Sequence, residues 1–458
     1  MSTDMRGIFQ SSLFSKAVTI SVAVPDTNRY RLLSDAVPWP EAAELANQYR
    51  ALKADIHNGR NLDLRLHLGA FIAQAMNGWT DRETEDMVRY HAGVRILCGC
   101  KESTASLDRT SIEAFRNVLS KEGAQELNRL MVRSAAKLGF TGSELCSSDT
   151  TVQEAPIAHP TEVGHMKKII EKLSGIASGI ASGFSTSAKK AAFEIVAAGR
   201  KIFTQIRLST RGKSEKAIAA KKKLGANLHE TAVKLLCYVE GELSSASTKA
   251  KIKARAKLDL FTLMLSQIDV WHKTGFHPKD KILSLWATTA RAIARGKAAK
   301  TVEFGRRWIV TRLTGGYIIG APCEKLGGGS DTSIADEVIL DFAKTFRKAP
   351  ITFVYDRGGD GPFNHALLLN IGVKNNCIFG REGSDRLPLK VAELGRRERA
   401  LSEASIANIK HDRYRFNKPR ARSTESCALK GFAAICGFNL NNLVRDLTTS
   451  LNMTPEIS

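Results

Sequence analysis

Apolar residues at helical spacing dominate the first third of the chain, across residues 41–140. Between residues 62 and 73 the apolar positions recur three or four residues apart, which predicts a helix, and Gly78 can end it. The preceding residues 1–40 contain three prolines and are predicted to be irregular. The pattern therefore indicates an all-α N-terminal domain that begins near Glu41.

Two short segments in this region resemble helix starts. Thr80-Asp81-Arg82-Glu83 and Thr110-Ser111-Ile112-Glu113 both have the spacing of a capping box, in which a hydroxyl and a carboxylate satisfy the first backbone N–H groups. Several short helices joined by tight turns are typical of a helix-turn-helix-like DNA reader. They fit an ordinary helical bundle equally well.

The pattern changes at residues 145–152, where Asp149 and its β-branched neighbours predict a strand that Pro156 stops soon after. Residues 165–270 return to helical spacing, with many Ala and Lys and no Pro until Pro278. We therefore predict a long helical insertion with a basic exposed face. Its glycines at 175, 179 and 183 indicate either close helix packing or a flexible hinge.

Strands and helices alternate in the last third of the chain. We predict strands at 282–285, 308–311, 317–319, 351–355 and 376–379, and helices at 331–347, 363–371 and 396–411. The strand near Asp149 must join this group. The expected fold class is an α/β core with a mixed sheet, interrupted by a large α-helical insertion and preceded by the all-α domain.

The charge of the chain is strongly positive and uneven. The formal net charge is +22, and residues 189–257 carry 17 Lys and Arg against 5 Glu. Residues 396–422 carry 9 Lys and Arg against 3 acidic residues. Charge concentrated in two segments favours a surface for a polyanion, most commonly nucleic acid, over general solubility.

Two other classes of protein are disfavoured. The eight cysteines form no pair of CxxC motifs, so we expect reduced core or surface thiols of a cytoplasmic protein and no zinc finger. No segment reaches the roughly 20 apolar residues that span a bilayer, and the apolar run at 17–24 lacks a cleavage site. Neither a membrane partner nor a signal peptide is expected.

Three carboxylates stand where a metal site could form. Asp149 lies in the first predicted core strand, and Asp356 follows the strongest strand, immediately before a glycine pair. Glu403 lies on a helix with Arg399 and Lys410 on the same face. Phosphoryl transfer on DNA needs two divalent ions, and hard cations such as Mg²⁺ prefer oxygen ligands.

Each of these positions also has a structural interpretation, and other acidic residues compete for the role. Asp356 fits a turn, and Glu403 fits a solvated helix with ordinary ion pairs. Asp360 could replace Asp356, whereas Glu154 falls on the opposite face of its strand from Asp149. Other candidates are Glu393 and Glu398 as ligands, His365 near the site or as a surface residue, and Glu303 as an outer group or a salt-bridge partner.

Several blocks along the chain, in order, resemble bacterial insertion-sequence transposases of the DDE type. They are residues 61–116 with Gly-Trp-Thr-Asp-Arg-Glu at 78–83, Ser148–Ala155, His159–Glu162, Arg295–Gly305 and Val354–Gly358. The helix of related families carries Tyr-x2-Arg-x3-Glu-x6-Lys. Arg399, Glu403 and Lys410 fit this spacing, but Arg396 stands at the Tyr position.

This resemblance implies an RNase H-like catalytic domain in which Asp149, Asp356 and Glu403 are the catalytic metal ligands. It implies two Mg²⁺ ions, for which Mn²⁺ can substitute, and contacts from Arg396, Arg399 and Lys410 to DNA phosphates. The implied function is binding of terminal inverted repeats, followed by cleavage and strand transfer. The partners would be double-stranded DNA and a second copy or more of the chain.

The resemblance also divides the chain into domains. We expect an irregular segment at 1–40, a helical DNA-binding domain at 41–140, and a catalytic domain formed by 141–164 and 281–445. A basic insertion occupies 165–280, and residues 446–458 are a tail. The alternative functions are a metal-dependent nuclease without strand transfer and a decayed, non-catalytic DNA-binding relative.

Overall fold

The computed structural model describes residues 23–52, 62–100, 106–180, 186–209, 214–243, 247–278, 280–297, 300–323, 335–380, 387–421 and 423–453. Its helices are α1 (Arg29–Ala36), α2 (Trp39–Ala51), α3 (Leu64–Asn77), α4 (Asp81–Tyr90), α5 (Ala92–Leu97), α6 (Arg109–Lys137), α7 (Glu162–Ile180), α8 (Thr186–Leu208), α9 (Glu215–Leu243), α10 (Thr248–Thr274), α11 (Ala335–Phe346), α12 (Pro362–Asn370), α13 (Leu389–Ile409) and α14 (Thr424–Met453). Its strands are β1 (Leu145–Glu154), β2 (Arg291–Lys297), β3 (Lys300–Arg312), β4 (Ile318–Pro322), β5 (Thr352–Tyr355) and β6 (Asn375–Ile378). The described part of the chain is mostly helical, with one mixed sheet of six strands.

The chain forms two compact units, Met1–Gly142 with Ala433–Ser458 and Ser143–Phe432. The first unit contains α1–α6 and the C-terminal part of α14. In this unit α14 lies against α3, because a Cβ added to Gly437 would be 2.1 Å from the carbonyl oxygen of Ala75. The buried side chains of Asn128 and Asn439 also hydrogen-bond at 2.8 Å. The expectation of a tail from residue 446 is wrong, since α14 continues to Met453.

Helix starts in the first unit follow local capping chemistry. The capping box at Thr80 and Glu83 is confirmed, and Gly78 ends α3 in the left-handed conformation (φ 62°). The second expected box is wrong: Asp108 caps α6 by accepting from the backbone N–H groups of Thr110 and Ser111. Asp is a strong N-cap residue, and here it stands one position before the helix.

The prediction that residues 1–40 are irregular is wrong for the two helical parts of this segment. Helix α1 covers Arg29–Ala36, and α2 begins at Trp39 in spite of the prolines at 38 and 40. Pro38 is the N-cap and Pro40 lies in the first turn, where a missing N–H breaks no helical hydrogen bond. Prolines therefore open this helix.

The sheet of the second unit has the order β2-β3-β1-β5-β6, with β4 also paired to β3. Strand β3 runs antiparallel to β1, β2 and β4, whereas β5 runs parallel to β1 and β6 parallel to β5. Trp308, Val354 and Phe353 are fully buried along these strands. The long β1 therefore joins an antiparallel half of the sheet to a parallel half.

Between β1 and β2 the chain forms the predicted helical insertion. Helices α7–α10 share an apolar core that includes Ile169, Leu228, Leu235 and Leu258. The expected close packing at the glycines is wrong for Gly175 and Gly179, because an added Cβ at either position would meet nothing within 4 Å. Gly183 lies outside the described residues.

The strand expected at 282–285 is absent from the described sheet. The backbone N–H of Ile282 donates to the side chain of Gln267 (2.9 Å), and the carbonyl of Leu283 lies 3.0 Å from Nε2 of His165. Ile282 is buried in the core of the insertion. The backbone groups that a sheet would pair are therefore satisfied by side chains of the helices.

Candidate active site

Asp149 lies near the middle of β1, where its backbone pairs with Val310 of β3. On the other side, Ser147 is in register with Val354 of the parallel strand β5. Two residues further along the two strands, this register places Asp149 beside Asp356. The carboxyl end of β5 and the middle of β1 therefore bring two of the three predicted carboxylates to the same point.

Asp356 follows β5 directly and caps the short 3-10 helix Arg357–Gly359, accepting from the backbone N–H of Arg357 at 2.6 Å. The turn is tight, since a Cβ at Gly359 would lie 2.4 Å from the ring of Tyr355. The expectation of turn chemistry at Asp356 and the expectation of a site residue are therefore both compatible with its position.

Helix α13 carries Glu403 and lies against the sheet. The helix starts at Leu389, earlier than the expected residue 396, and Gly395 is buried within it. A Cβ at Gly395 would be 3.1 Å from Cys377 and from the ring of Phe379, so this glycine allows α13 to approach β6. The hydroxyls of Ser402 and Ser147 then join α13 to β1 at 2.7 Å.

A buried ion pair also anchors α13. Glu398 is 5% exposed and pairs with Arg312 of β3 at 2.5 Å and with Arg397 at 2.9 Å. Glu398 and Ser402 occupy the buried face, so their neighbours Arg399 and Glu403 lie beside it at the edge nearest to the solvent. Glu398 is thus occupied as an anchor, which argues against it as the third ligand.

Arg399 connects two of the carboxylates. Its guanidinium lies 2.9 Å from Oδ1 of Asp356 and 3.5 Å from Oε1 of Glu403. The helical spacing of Arg399 and Glu403 indicated their pairing, but nothing in the sequence indicated the contact with Asp356. The structure therefore brings Asp149, Asp356, Glu403 and Arg399 into one neighbourhood.

The electrostatics of Asp149 reflect this neighbourhood. Burial raises the pKa of Asp149 to about 6. The carboxylates of Asp356 and Glu403 also raise this pKa, whereas the Thr150 backbone N–H and the Arg399 guanidinium lower it. A positive charge at this place would favour the ionised form of Asp149.

The competing acidic residues have other partners. Asp360 lies 3.0 Å from Nε2 of His365, and His365 also contacts Asn376, so this pair belongs to α12 and β6. Glu154 pairs with Lys418. Glu303 stands seven residues before Val310 on β3, about 23 Å from the partner of Asp149 at about 3.3 Å per residue. An outer-shell role for Glu303 is therefore wrong.

The two remaining basic candidates lie on the same helix. Arg396 is exposed, one turn before Arg399, and Lys410 is the C-cap residue of α13. Residues seven positions apart lie nearly above one another on a helix, so Arg396, Glu403 and Lys410 follow one face. This face presents positive charge on both sides of Glu403.

The donor set has the oxygen chemistry that Mg²⁺ prefers. In the described part of the chain, however, no three or more His, Cys, Asp and Glu side chains are grouped so that they could hold a metal ion. Arg399 occupies two of the carboxylates as an ion-pair partner. The described arrangement is therefore a group of carboxylates that is ion-paired through Arg399.

Comparison with known families concerns the N-terminal unit. Residues 18–118 match the family model described as Transposase domain (DUF772). This part of the chain therefore resembles a transposase domain. The match confirms the resemblance to a transposase for this region, in which the described helices are α1–α5 and the first turns of α6.

No curated protein and no solved structure matches the chain. Within the described residues, no helix has the length and apolar character needed to cross a bilayer. Cys98, Cys146 and Cys436 are buried free thiols, and burial raises their pKa values, as expected for core cysteines.

Proposed function

We propose that the chain is a DDE-type transposase that cleaves DNA and joins it to a target. The observation that carries this proposal is the ion-paired group of Asp149, Asp356, Glu403 and Arg399 in a chain with a transposase domain. Three carboxylates in mutual repulsion have little use in stability. They are suited to bind divalent cations.

The proposal includes an RNase H-like assignment for the sheet. Its support is the strand arrangement: β4, β3 and β1 form an antiparallel meander, and β5 and β6 continue it in parallel. Helices α11 and α12 connect the later strands, and α13 crosses back to β1. In this arrangement Asp149 lies on β1, Asp356 directly follows β5, and Glu403 lies on α13.

In the proposed mechanism Asp149, Asp356 and Glu403 would hold two Mg²⁺ ions, or Mn²⁺ as a substitute. Such ions would lower the pKa of a water or a 3′-hydroxyl and offset the negative charge at the scissile phosphate. Asp149 must be ionised to bind, which its pKa of about 6 allows at neutral pH. Arg399 turns from Asp356 and Glu403 toward a DNA phosphate.

Water then breaks one phosphodiester bond and leaves a 3′-hydroxyl and a 5′-phosphate. The 3′-hydroxyl attacks a phosphate of target DNA, forms a new phosphodiester bond and releases a target 3′-hydroxyl. Arg396 and Lys410, on both sides of Glu403, steady the phosphates. The transposase domain and the basic insertion bind the element ends, and two copies of the chain pair on DNA because both ends are cut together.

The test is cleavage of DNA that carries the ends flanking the coding region, in Mg²⁺. Asp149→Ala, Asp356→Ala and Glu403→Ala should each reduce cutting by at least about 100-fold and keep end binding. Glu393→Ala removes the exposed rival ligand on the same helix, and this variant should cut normally if Glu403 is the third ligand. Normal cutting by Glu403→Ala would contradict the third ligand.

The same assay separates the proposal from its alternatives. Joined donor and target products support a transposase, whereas cut but unjoined DNA indicates a nuclease without strand transfer. Binding without any cutting in Mg²⁺ or Mn²⁺ indicates a decayed relative. Each outcome is distinguished by the length of the labelled DNA strand.

A further inference from the structure

The segment after α13, residues 410–421, returns to the far end of β1 and is called the return loop here. The backbone N–H of Lys418 donates to the carbonyl of Glu154 (2.9 Å), and the side chain of Asn417 accepts from the N–H of Glu154 (3.4 Å). The loop therefore begins at the end of the helix with Glu403. It ends five residues beyond Asp149 along β1.

An aromatic anchor holds the return loop in place. Phe416 is fully buried and packs edge-to-face on Trp308 of β3, with ring centroids 5.4 Å apart. Trp308 is held in turn by a hydrogen bond from its indole N–H to Gln153 (3.0 Å). Pro419 is also buried. The polar residues on either side of these anchors thus have a defined position.

The return loop carries five Lys and Arg against one acidic residue, Asp412. Arg413, Lys418 and Arg420 are exposed, and Arg415 is partly exposed. Lys418 contacts Glu154 at 3.7 Å, but its side chain remains 68% exposed. The positive charge of the loop is thus accessible to a large anion.

Two of these basic residues have unusual backbone conformations. Arg415 has φ 54° and Lys418 has φ 45°, in the left-handed region where Gly is favoured over residues with a Cβ. A non-glycine residue stays in such a conformation only where the surrounding structure holds it, as the Phe416 anchor and the Lys418–Glu154 hydrogen bond do here. Both positions hold a cation where glycine would suit the backbone better.

We propose that the return loop is a DNA-backbone contact, in which Arg415 and Lys418 bind phosphates of the strand flanking the cut. This inference rests on the proposed function. Five residues of β1 span about 17 Å, which corresponds to about five nucleotides at 3.4 Å per step. The loop extends the positive face of α13 along the substrate, and Arg415 and Lys418 are positioning residues.

The test uses glycine, which removes the charge and suits the backbone. In the full chain, Arg415→Gly with Lys418→Gly should weaken binding of a short DNA duplex of arbitrary sequence in EDTA. The slope of log binding constant against log salt should fall by about 2, since each phosphate contact contributes about 0.9. Arg415→Lys with Lys418→Arg keeps both charges and should retain the wild-type slope.

Arg347→Gly is the matched control. Arg347 is an exposed arginine and, like Arg415, has a left-handed backbone (φ 58°), but it precedes β5, at the opposite end of that strand from Asp356. It should leave the slope unchanged. A double glycine variant that is at least as stable to heat as wild type and has wild-type affinity and slope overturns the proposal.

Failure of the proposed function gives a different result. If the wild-type chain binds DNA and the double glycine variant loses the salt slope, the return loop is a DNA contact even when no form of the chain cuts DNA. If the chain cuts DNA and the double glycine variant binds and cuts as well as wild type, the loop inference fails alone.

Discussion

At the scale of single residues, Asp149 and Arg399 give the site its character. Asp149 is a partly buried acid whose pKa is raised to about 6, mainly by burial. Arg399 is the cation that two neighbouring carboxylates share. Burial makes Asp149 costly to ionise, and the positive charge of Arg399 offsets part of this cost. A bound cation could take over this role from Arg399.

The first prediction concerns Asp149→Asn in EDTA. Because the folded-state pKa is above the ordinary 3.8, ionised Asp149 destabilises the fold above about pH 6, and this cost fades as the pH falls toward 3.8. At pH 7.5 the substitution should raise the free energy of unfolding by about 1–3 kcal/mol. Asn keeps an acceptor for the Thr150 N–H.

Urea unfolding of both proteins from pH 4 to pH 8 measures this difference. The gain should shrink toward zero near pH 4, and the substituted protein should lose cutting in Mg²⁺. A destabilised Asp149→Asn protein at pH 7.5 would contradict the idea that the carboxylate is retained at a cost to stability.

The second prediction concerns Arg399→Gln. Removing the guanidinium leaves Asp149, Asp356 and Glu403 in repulsion, so stability in EDTA should fall by about 0.5–1 kcal/mol, a modest value because these side chains are partly exposed. Mg²⁺ should then raise the Tm more than in wild type, because no side chain competes with it. Arg399→Lys keeps the charge, and an equal Mg²⁺ effect in all three proteins would contradict the competition.

At the scale of elements, α13 decides which side chains meet. Gly395 lets it approach β6, Ser402 joins it to β1, and Glu398 joins it to β3 through Arg312. These contacts occur on the buried face of α13. Because the helix is rigid, they also fix the positions of Arg399 and Glu403, each of which is next in sequence to a buried residue. The position of the third carboxylate is thus set by residues that carry no chemistry.

The third prediction concerns Glu398→Ala. The substitution leaves the largely buried side chain of Arg312 without its carboxylate, so the free energy of unfolding should fall by about 3 kcal/mol. The exposed Glu393→Ala on the same helix should change it by less than about 0.5 kcal/mol. Similar denaturation midpoints for the two variants would mean that the ion pair does not anchor α13.

At the scale of the whole molecule, the last residues of the sequence fall in the same compact unit as the first. Residues 433–458 group with residues 1–142, and α14 therefore contributes to both compact units. In the first unit, Gly437 lies against the backbone of Ala75 and Asn439 bonds to Asn128. The region that resembles a transposase domain thus packs against α14, which lies more than 300 residues later in the chain.

The fourth prediction compares the same substitution at two helical glycines. Gly437→Ala should lower the free energy of unfolding by about 1–3 kcal/mol, because its Cβ would overlap a carbonyl that cannot move freely. Gly175→Ala, which faces open space in α7, should raise it by about 0.5–1 kcal/mol. Equal effects of both substitutions in urea denaturation would show that Gly437 does not require close packing.

The sequence by itself determined the features that depend on neighbouring residues. Helical spacing predicted the insertion and α3, and a capping box predicted the start of α4. The Asp149, Asp356 and Glu403 candidates came from predicted strands, from helix spacing and from the resemblance to DDE-type transposases. The strand expected at 282–285 does not form, because side chains distant in sequence bind its backbone. The N–H of Ile282 donates to Gln267, and the carbonyl of Leu283 contacts Nε2 of His165.

Only the tertiary structure decided which of these features meet. The Arg399–Asp356 ion pair, the anchor of Phe416 on Trp308 and the contact of Gly437 with Ala75 join residues from about 40 to over 300 positions apart. Hydrophobic periodicity and capping motifs reflect only interactions between residues that are close together in sequence. Contacts of this kind arise only when strands pair and helices pack, because the partner is then chosen by shape and charge in space.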